Sequence, residues 1–154
     1  MKTSIKKEDF IESISDALQF ISYYHSEDFI LSMREAYDKE TSIPAKDAML
    51  QILTSSKMSA MGQRPICQDT GIVIAFIEVG MDVEWISDLS IEDMVNEGVK
   101  RAYTNKDNPL RPSIVSDPAG KRQNTKDNTP AVTHVKLIQG DKVHISISAK
   151  GGGS

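Results

Sequence analysis

Residues 71–80 read GIVIAFIEVG, an almost unbroken apolar stretch, rich in β-branched and aromatic side chains and closed by glycine at both ends. No other feature of the 154-residue chain limits its fold as strongly. A run of this kind predicts a strand buried on both faces, so the rest of the chain has to supply a sheet around it and layers to cover it.

Upstream of the strand the apolar pattern is helical. Ile11, Ile14, Leu18 and Ile21, with Phe10, Ala17 and Tyr24 beside them, recur at steps of three and four and predict an amphipathic helix. Ser26 as N-cap, with Glu27 and Asp28 at the positive end of the dipole, opens a second helix whose stripe is Phe29, Ile30, Met33, Ala36 and Tyr37. Pro44 suits the first turn of a third, with Ala45, Ala48, Met49, Ile52 and Leu53 turned inward. Downstream, Ser90 begins SIEDMVNEGVKRAY, where Asp93 stands in for the usual capping-box glutamate. Ile91, Met94, Val95, Val99 and Ala102 form its stripe, and Gly98 weakens it as a helix.

Residues 105–130 read as a long loop, rich in Asn, Asp, Thr and Pro, and a stretch of that length tends to be functional or mobile. AVTHVKLI and KVHISISA then flank Gly140 and Asp141, which predicts a β-hairpin closed by a two-residue type II′ turn. In the second arm Val143, Ile145 and Ile147 alternate with Lys142, His144, Ser146 and Ser148, giving one buried and one polar face. The sum is an α+β chain, a helical N-terminal layer packed on a mixed, largely antiparallel sheet, with residues 1–154 expected to form a single domain.

Hydrophobic residues make up 39% of the chain and charged residues 26%, the balance of an ordinary soluble globular protein. A net charge of -4 gives no general attraction to nucleic acid or anionic membranes, so neither is expected as a partner. The N-terminal segment lacks the apolar core of a secretory signal, and no window approaches a membrane span, which predicts a cytoplasmic protein. The lone cysteine cannot form an internal disulfide, in keeping with a reducing compartment.

That cysteine, Cys67, lies in RPICQDTG beside Gln68 and Asp69, directly before the apolar strand. A free cysteine beside a strand is usually packing, yet polar neighbours at a strand end also mark sites. His25, His134 and His144 carry no protease signature and are too dispersed for a zinc site. His134 and His144, on opposite hairpin arms, read as a cross-strand pair or as solvated residues. Arg111, among turn-forming residues, has the planar donor fork that matches a carboxylate at two points, and near Asp69 it would hold a dicarboxylate. Lys121 and Arg122 read as solvated loop charge. The terminal GGGS reads first as a flexible linker, and second as a glycine run whose N–H groups approach an anion.

The ordered series RPICQDTG, NPLRPSIVSDP, NTKDNTPAVTH and AKGGGS, behind the helical opening LQFISYYHSEDFI, resembles the class I fumarate hydratases and the related L-tartrate dehydratases, which are iron-sulfur hydro-lyases. The likeness extends over nearly the whole chain, in the region of the N-terminal part of the α subunit or of the N-terminal domain. It implies reversible hydration of fumarate to malate, in the tricarboxylic acid cycle, with a 4Fe-4S cluster on three cysteines. Cys67 would be the first cluster ligand, Gln68 would contact substrate, and Asp69 would contact it and take part in proton transfer. Arg111 would clamp a carboxylate, and the glycine run, carried here by Gly152, would add backbone contacts.

The second and third cluster cysteines, and the threonine base of the complete enzymes, have no counterpart in this sequence. The resemblance therefore implies a fragment that is inactive and without its cluster when isolated, and native rather than linker sequence at GGGS. It also implies a C-terminal domain or β subunit as partner and a dimer or α2β2 assembly. An L-tartrate dehydratase α-subunit fragment and a non-catalytic dicarboxylate-binding module stand as alternatives.

Overall fold

The structure, a computed structural model, describes residues 2–66 and 71–151. It is an α+β chain in which residues 2–19 and 71–151 belong to one compact unit and residues 20–66 to another. Strand β1 (Thr3–Lys6) leads straight into helix α1 (Lys7–Tyr23), followed by α2 (Glu27–Lys39) and α3 (Ile43–Gly62). After Gly71 come β2 (Ile72–Gly80), β3 (Val83–Ile86), α4 (Ile91–Tyr103), the short strands β4 (Val115–Ser116) and β5 (Gln123–Asn124), then β6 (Val132–Ile138) and β7 (Val143–Lys150).

In the first unit the apolar run becomes β2, the middle strand of the sheet β6-β2-β7. It pairs in parallel with β6, from Ile74 opposite Val132 to Gly80 opposite Ile138, and antiparallel with β7, from Ile72 opposite Lys150 to Val79 opposite Val143. The predicted hairpin is thus a split one. Its arms do not pair with each other, because the most apolar strand takes the position between them, where its backbone is bonded on both sides. The connection between the arms crosses the end of β2: Gly80 N donates to Lys142 O and Asp82 N to Gly140 O. A Cβ on Gly80 would stand 2.3 Å from Gly140 O, so glycine is what allows the crossing, while Gly140 itself has a φ of +105°.

The expectation that β2 is buried on both faces is also corrected. Val73, Ala75, Ile77 and Val79 are buried, but on the other face Ile72 and Phe76 are exposed and Ile74 is half-buried. Partners on that face are partly polar: His134 stacks on Phe76 with ring centroids 5.0 Å apart, and Lys136 bonds Glu78 at 2.8 Å. An apolar sequence run fixes the strand and not the number of layers above it.

The inner face of β2 shares its core with two helices. Phe10, Ile11, Ile14 and Leu18 of α1 and Met94, Val95, Val99 and Ala102 of α4 are all buried, as their spacing predicts. Gly98 explains itself here, since a Cβ would lie 2.6 Å from Ile14 Cβ and the two helices could not approach so closely. Ser90 caps α4 as expected, accepting from Asp93 N at 3.0 Å and donating to Asp93 Oδ2 at 2.7 Å. The parallel pair β1–β3, in register from Thr3 opposite Val83 to Lys6 opposite Ile86, was not legible in the sequence. Phe10 meets Trp85 of β3 edge to face at 5.2 Å.

The second unit pairs α2 with α3. Pro44 opens α3 as predicted, and Ser26 occupies the N-cap of α2, although its side chain makes no bond to the helix backbone and instead bonds the Asp28 carboxyl, helping to hold it below its usual range. The inward stripe of α3 is Ala45, Met49 and Leu53, half-buried, continued by buried Ser56 and Ser59; Ala48 and Ile52 are exposed, against expectation. Ser56 is held by His25 Nδ1 at 2.9 Å.

Candidate functional site

Arg111 follows Leu110, which is buried and anchors the segment after α4. Before it, Asn105 Oδ1 accepts from the backbone N–H groups of Asp107 and Asn108, and Asn108 O accepts from Gln19 Nε2 of α1 at 3.0 Å. After it, Pro112 O accepts from Asn124 Nδ2 at 2.8 Å and Ile114 O from Thr125 N at 2.9 Å. The segment that presents Arg111 is therefore fastened at both ends. Part of the stretch read as a loop is a ribbon, with Val115 opposite Asn124 and Ser116 opposite Gln123.

Asn128 joins this region to the strand. Its Oδ1 accepts from Ser113 N at 2.8 Å and Ile114 N at 3.2 Å, and its Nδ2 donates to Gly71 O at 3.0 Å. Gly71, with a φ of +69°, stands against the last residues of β7, since a Cβ there would be 1.9 Å from Lys150 O and 2.6 Å from Gly151 Cα. One part of each of the four sequence motifs thus meets around Gly71 and Asn128: Gly71 at the end of RPICQDTG, Ser113 and Ile114 of NPLRPSIVSDP, Asn128 of NTKDNTPAVTH, and Lys150 and Gly151 of AKGGGS.

Beside Asn128, burial raises the Asp127 carboxyl, but hydrogen bonds from Thr129 N at 3.0 Å and Thr129 Oγ1 at 2.8 Å outweigh it and hold the group below its usual value. Asp127 is thereby kept as a carboxylate that shapes the loop. Ser113 Oγ is buried with no hydrogen-bond partner among the described residues, two positions after Arg111.

Of the predicted site residues, Arg111 is described, while Cys67, Gln68, Asp69 and Gly152 lie outside the described residues. Sequence reading missed Asn128, Gly71 and also Asn96, whose Oδ1 accepts from Ala131 N at 2.9 Å and ties α4 to the start of β6. A signal for Asn128 existed, since asparagine among turn formers is the side chain most often found at positive φ, here +62°. The cross-strand reading of His134 and His144 fails: they lie opposite Phe76 and Glu78 on the two sides of β2.

A family model described as fumarate hydratase (Fumerase) matches residues 11–154. The chain belongs to the fumarate hydratase family. Among its relatives, a "Putative L(+)-tartrate dehydratase subunit alpha" of Methanocaldococcus jannaschii is 35% identical over 105 residues, 68% of this chain and 35% of that protein. The anaerobic class I fumarate hydratase of Escherichia coli K12 is 34% identical over 118 residues, 77% of this chain and 21% of the relative. The L(+)-tartrate dehydratase subunit alpha of the same strain is 26% identical over 144 residues, 92% of this chain and 46% of that subunit. The chain spans less than half the length of each of these relatives.

The family resemblance implies an iron-sulfur cluster, and the donor set of this chain does not fit one by itself. A cluster of that class is held by several thiolates, whereas the sequence has one cysteine. Among the described residues no group of three or more His, Cys, Asp or Glu side chains could hold a metal ion. No helix of the described residues is long and apolar enough to cross a membrane.

Proposed function

We propose that this chain forms part of the substrate site of a hydro-lyase that adds water reversibly across the double bond of fumarate to give malate. The family match and one geometric observation support the reading: Gly71, two residues after Asp69, abuts Lys150 and Gly151 and is bonded through Asn128 to the backbone that follows Arg111. Arg111 would hold one substrate carboxylate by two parallel N–H donors, a geometry that lysine lacks. Gln68 and the Gly152 backbone would fix the rest of the dicarboxylate. In the dehydration direction a proton leaves the carbon beside one carboxylate as hydroxide leaves its neighbour, and Asp69 takes part in that proton transfer. Cys67 would contribute one cluster ligand, with the others coming from a C-terminal domain or β subunit in a dimeric or α2β2 assembly in the cytoplasm.

A second reading, L-tartrate as substrate, is favoured by the two relatives above that are named as tartrate dehydratase α subunits. Anaerobic isolation of the native assembly on a tagged copy of this chain, with fumarate hydration and L-tartrate dehydration measured side by side, tests both. Turnover of fumarate that falls at least tenfold in Arg111→Ala is the expected result. An assembly that binds malate and turns over neither acid would identify a non-catalytic dicarboxylate-binding module. Robust turnover by the isolated 154-residue chain would overturn the requirement for a partner.

A further inference from the structure

We propose that Asn128 is a positioning residue, setting the backbone that carries Arg111 in fixed relation to Gly71. The inference rests on the reading that Arg111 and the residues before Gly71 serve one substrate.

The side chain of Asn128 is fully buried, a costly place for an amide unless its bonds are made. Three of its four hydrogen-bonding positions are used, all on backbone groups and none on a side chain. Two N–H donors face one end and a carbonyl faces the other, so the orientation of the amide is forced. Its partners are 57 positions away on one side and 14 and 15 on the other. A left-handed backbone at +62° aims it into the gap between them, and asparagine accepts that conformation more readily than most residues. The flanks are fixed too, by Thr129 on Asp127 and by Ala131 on Asn96. Pro112, the one residue between Arg111 and Ser113, has a locked φ, so a shift of the Ser113 amide carries to the arginine. Small misplacements of a binding group cost large factors in rate, and a rigid link of this kind prevents them.

Aspartate at this position keeps an acceptor for Ser113 and Ile114 and sets a second oxygen against Gly71 O. Glycine keeps the left-handed backbone and removes both links. In the native assembly Asn128→Asp is expected to leave KM for the dicarboxylate within about threefold of wild type while kcat falls at least tenfold. Asn128→Gly is expected to raise KM and lower kcat together. A residue that only stabilised the fold would leave both constants of the folded enzyme unchanged, and that outcome overturns the proposal.

The isolated chain gives a readout independent of substrate, the hydrogen exchange of the Ser113 and Ile114 amides that Asn128 Oδ1 accepts from. Asn128→Gly should speed that exchange at least tenfold, while Asn128→Asp, which keeps the acceptor, should leave it within about threefold of wild type. These exchange effects together with an assembly inactive on dicarboxylates defeat the functional reading and leave the link standing. Unchanged exchange in Asn128→Gly defeats the proposal. Should the variants fail to fold, exchange in the wild type decides: Ser113 and Ile114 amides must be protected as strongly as the amides of β2, and rapid exchange overturns the link.

Discussion

The carbonyl oxygen of Lys150 stands where a methyl group on Gly71 would have to be, 1.9 Å from the position of its Cβ. The obstacle is backbone in the last pair of the β2–β7 ladder, so it cannot turn aside as a side chain would. With a φ of +69° added, Gly71→Ala is expected to cost more than about 2 kcal/mol. Urea unfolding checks it through a lower midpoint at unchanged slope.

Gly98→Ala poses a contest between two effects. In an exposed helix the change gains about 1 kcal/mol of propensity. Here the new methyl would meet Ile14 Cβ at 2.6 Å and Ile11 O at 2.9 Å, and overpacking of that kind costs about 1–3 kcal/mol. Net destabilisation is expected, and its cost should be smaller in an Ile14→Ala background, where the Cγ2 methyl that would lie 2.8 Å from the new Cβ is gone, which a double-mutant cycle by thermal unfolding would reveal.

Arg101 of α4 donates to both carboxylate oxygens of Glu8 on α1 and, through Nε, to Glu97 Oε1 at 3.0 Å. The bond from Arg101 holds Glu8 below its usual value of 4.5. A carboxylate with a lowered folded pKa stabilises the fold above its unfolded pKa and loses that contribution as pH falls through the folded one. Wild type should therefore melt above Glu8→Gln at about pH 7, with the gap closing from about pH 4.5 downward and gone below the folded pKa. Salt should narrow the gap as well, because the pair is exposed.

The parts of the fold that were legible from sequence share a property: their signal is local. The stripes of α1 and α4, the Ser90 cap and the strand at β2 each depend on residues within a few positions of one another. The split hairpin was hidden because AVTHVKLI and KVHISISA obey hairpin rules equally well with β2 between them, and only the competition for the central position decides. The site divides in the same way. Arg111 could be singled out from residue type and neighbours, whereas the value of Asn128 lies in a carbonyl 57 positions away.

Asn96 extends that lesson to a residue within a helix. Its Oδ1 accepts from Ala131 N at 2.9 Å, the residue that leads into β6, and Ala131 is buried at 7% exposure. Replacing Asn96 by Ala removes the acceptor and leaves a buried N–H unpaired, a loss of about 1–3 kcal/mol. Asn96→Asp keeps an acceptor in the same place and should retain most of the stability, whereas Asn96→Leu, similar in size, should not. Urea titration of the three variants, with hydrogen exchange at Ala131, separates the hydrogen bond from the packing: stability in Asn96→Leu equal to that in Asn96→Asp would mean that volume, and not the bond, holds α4 to the sheet.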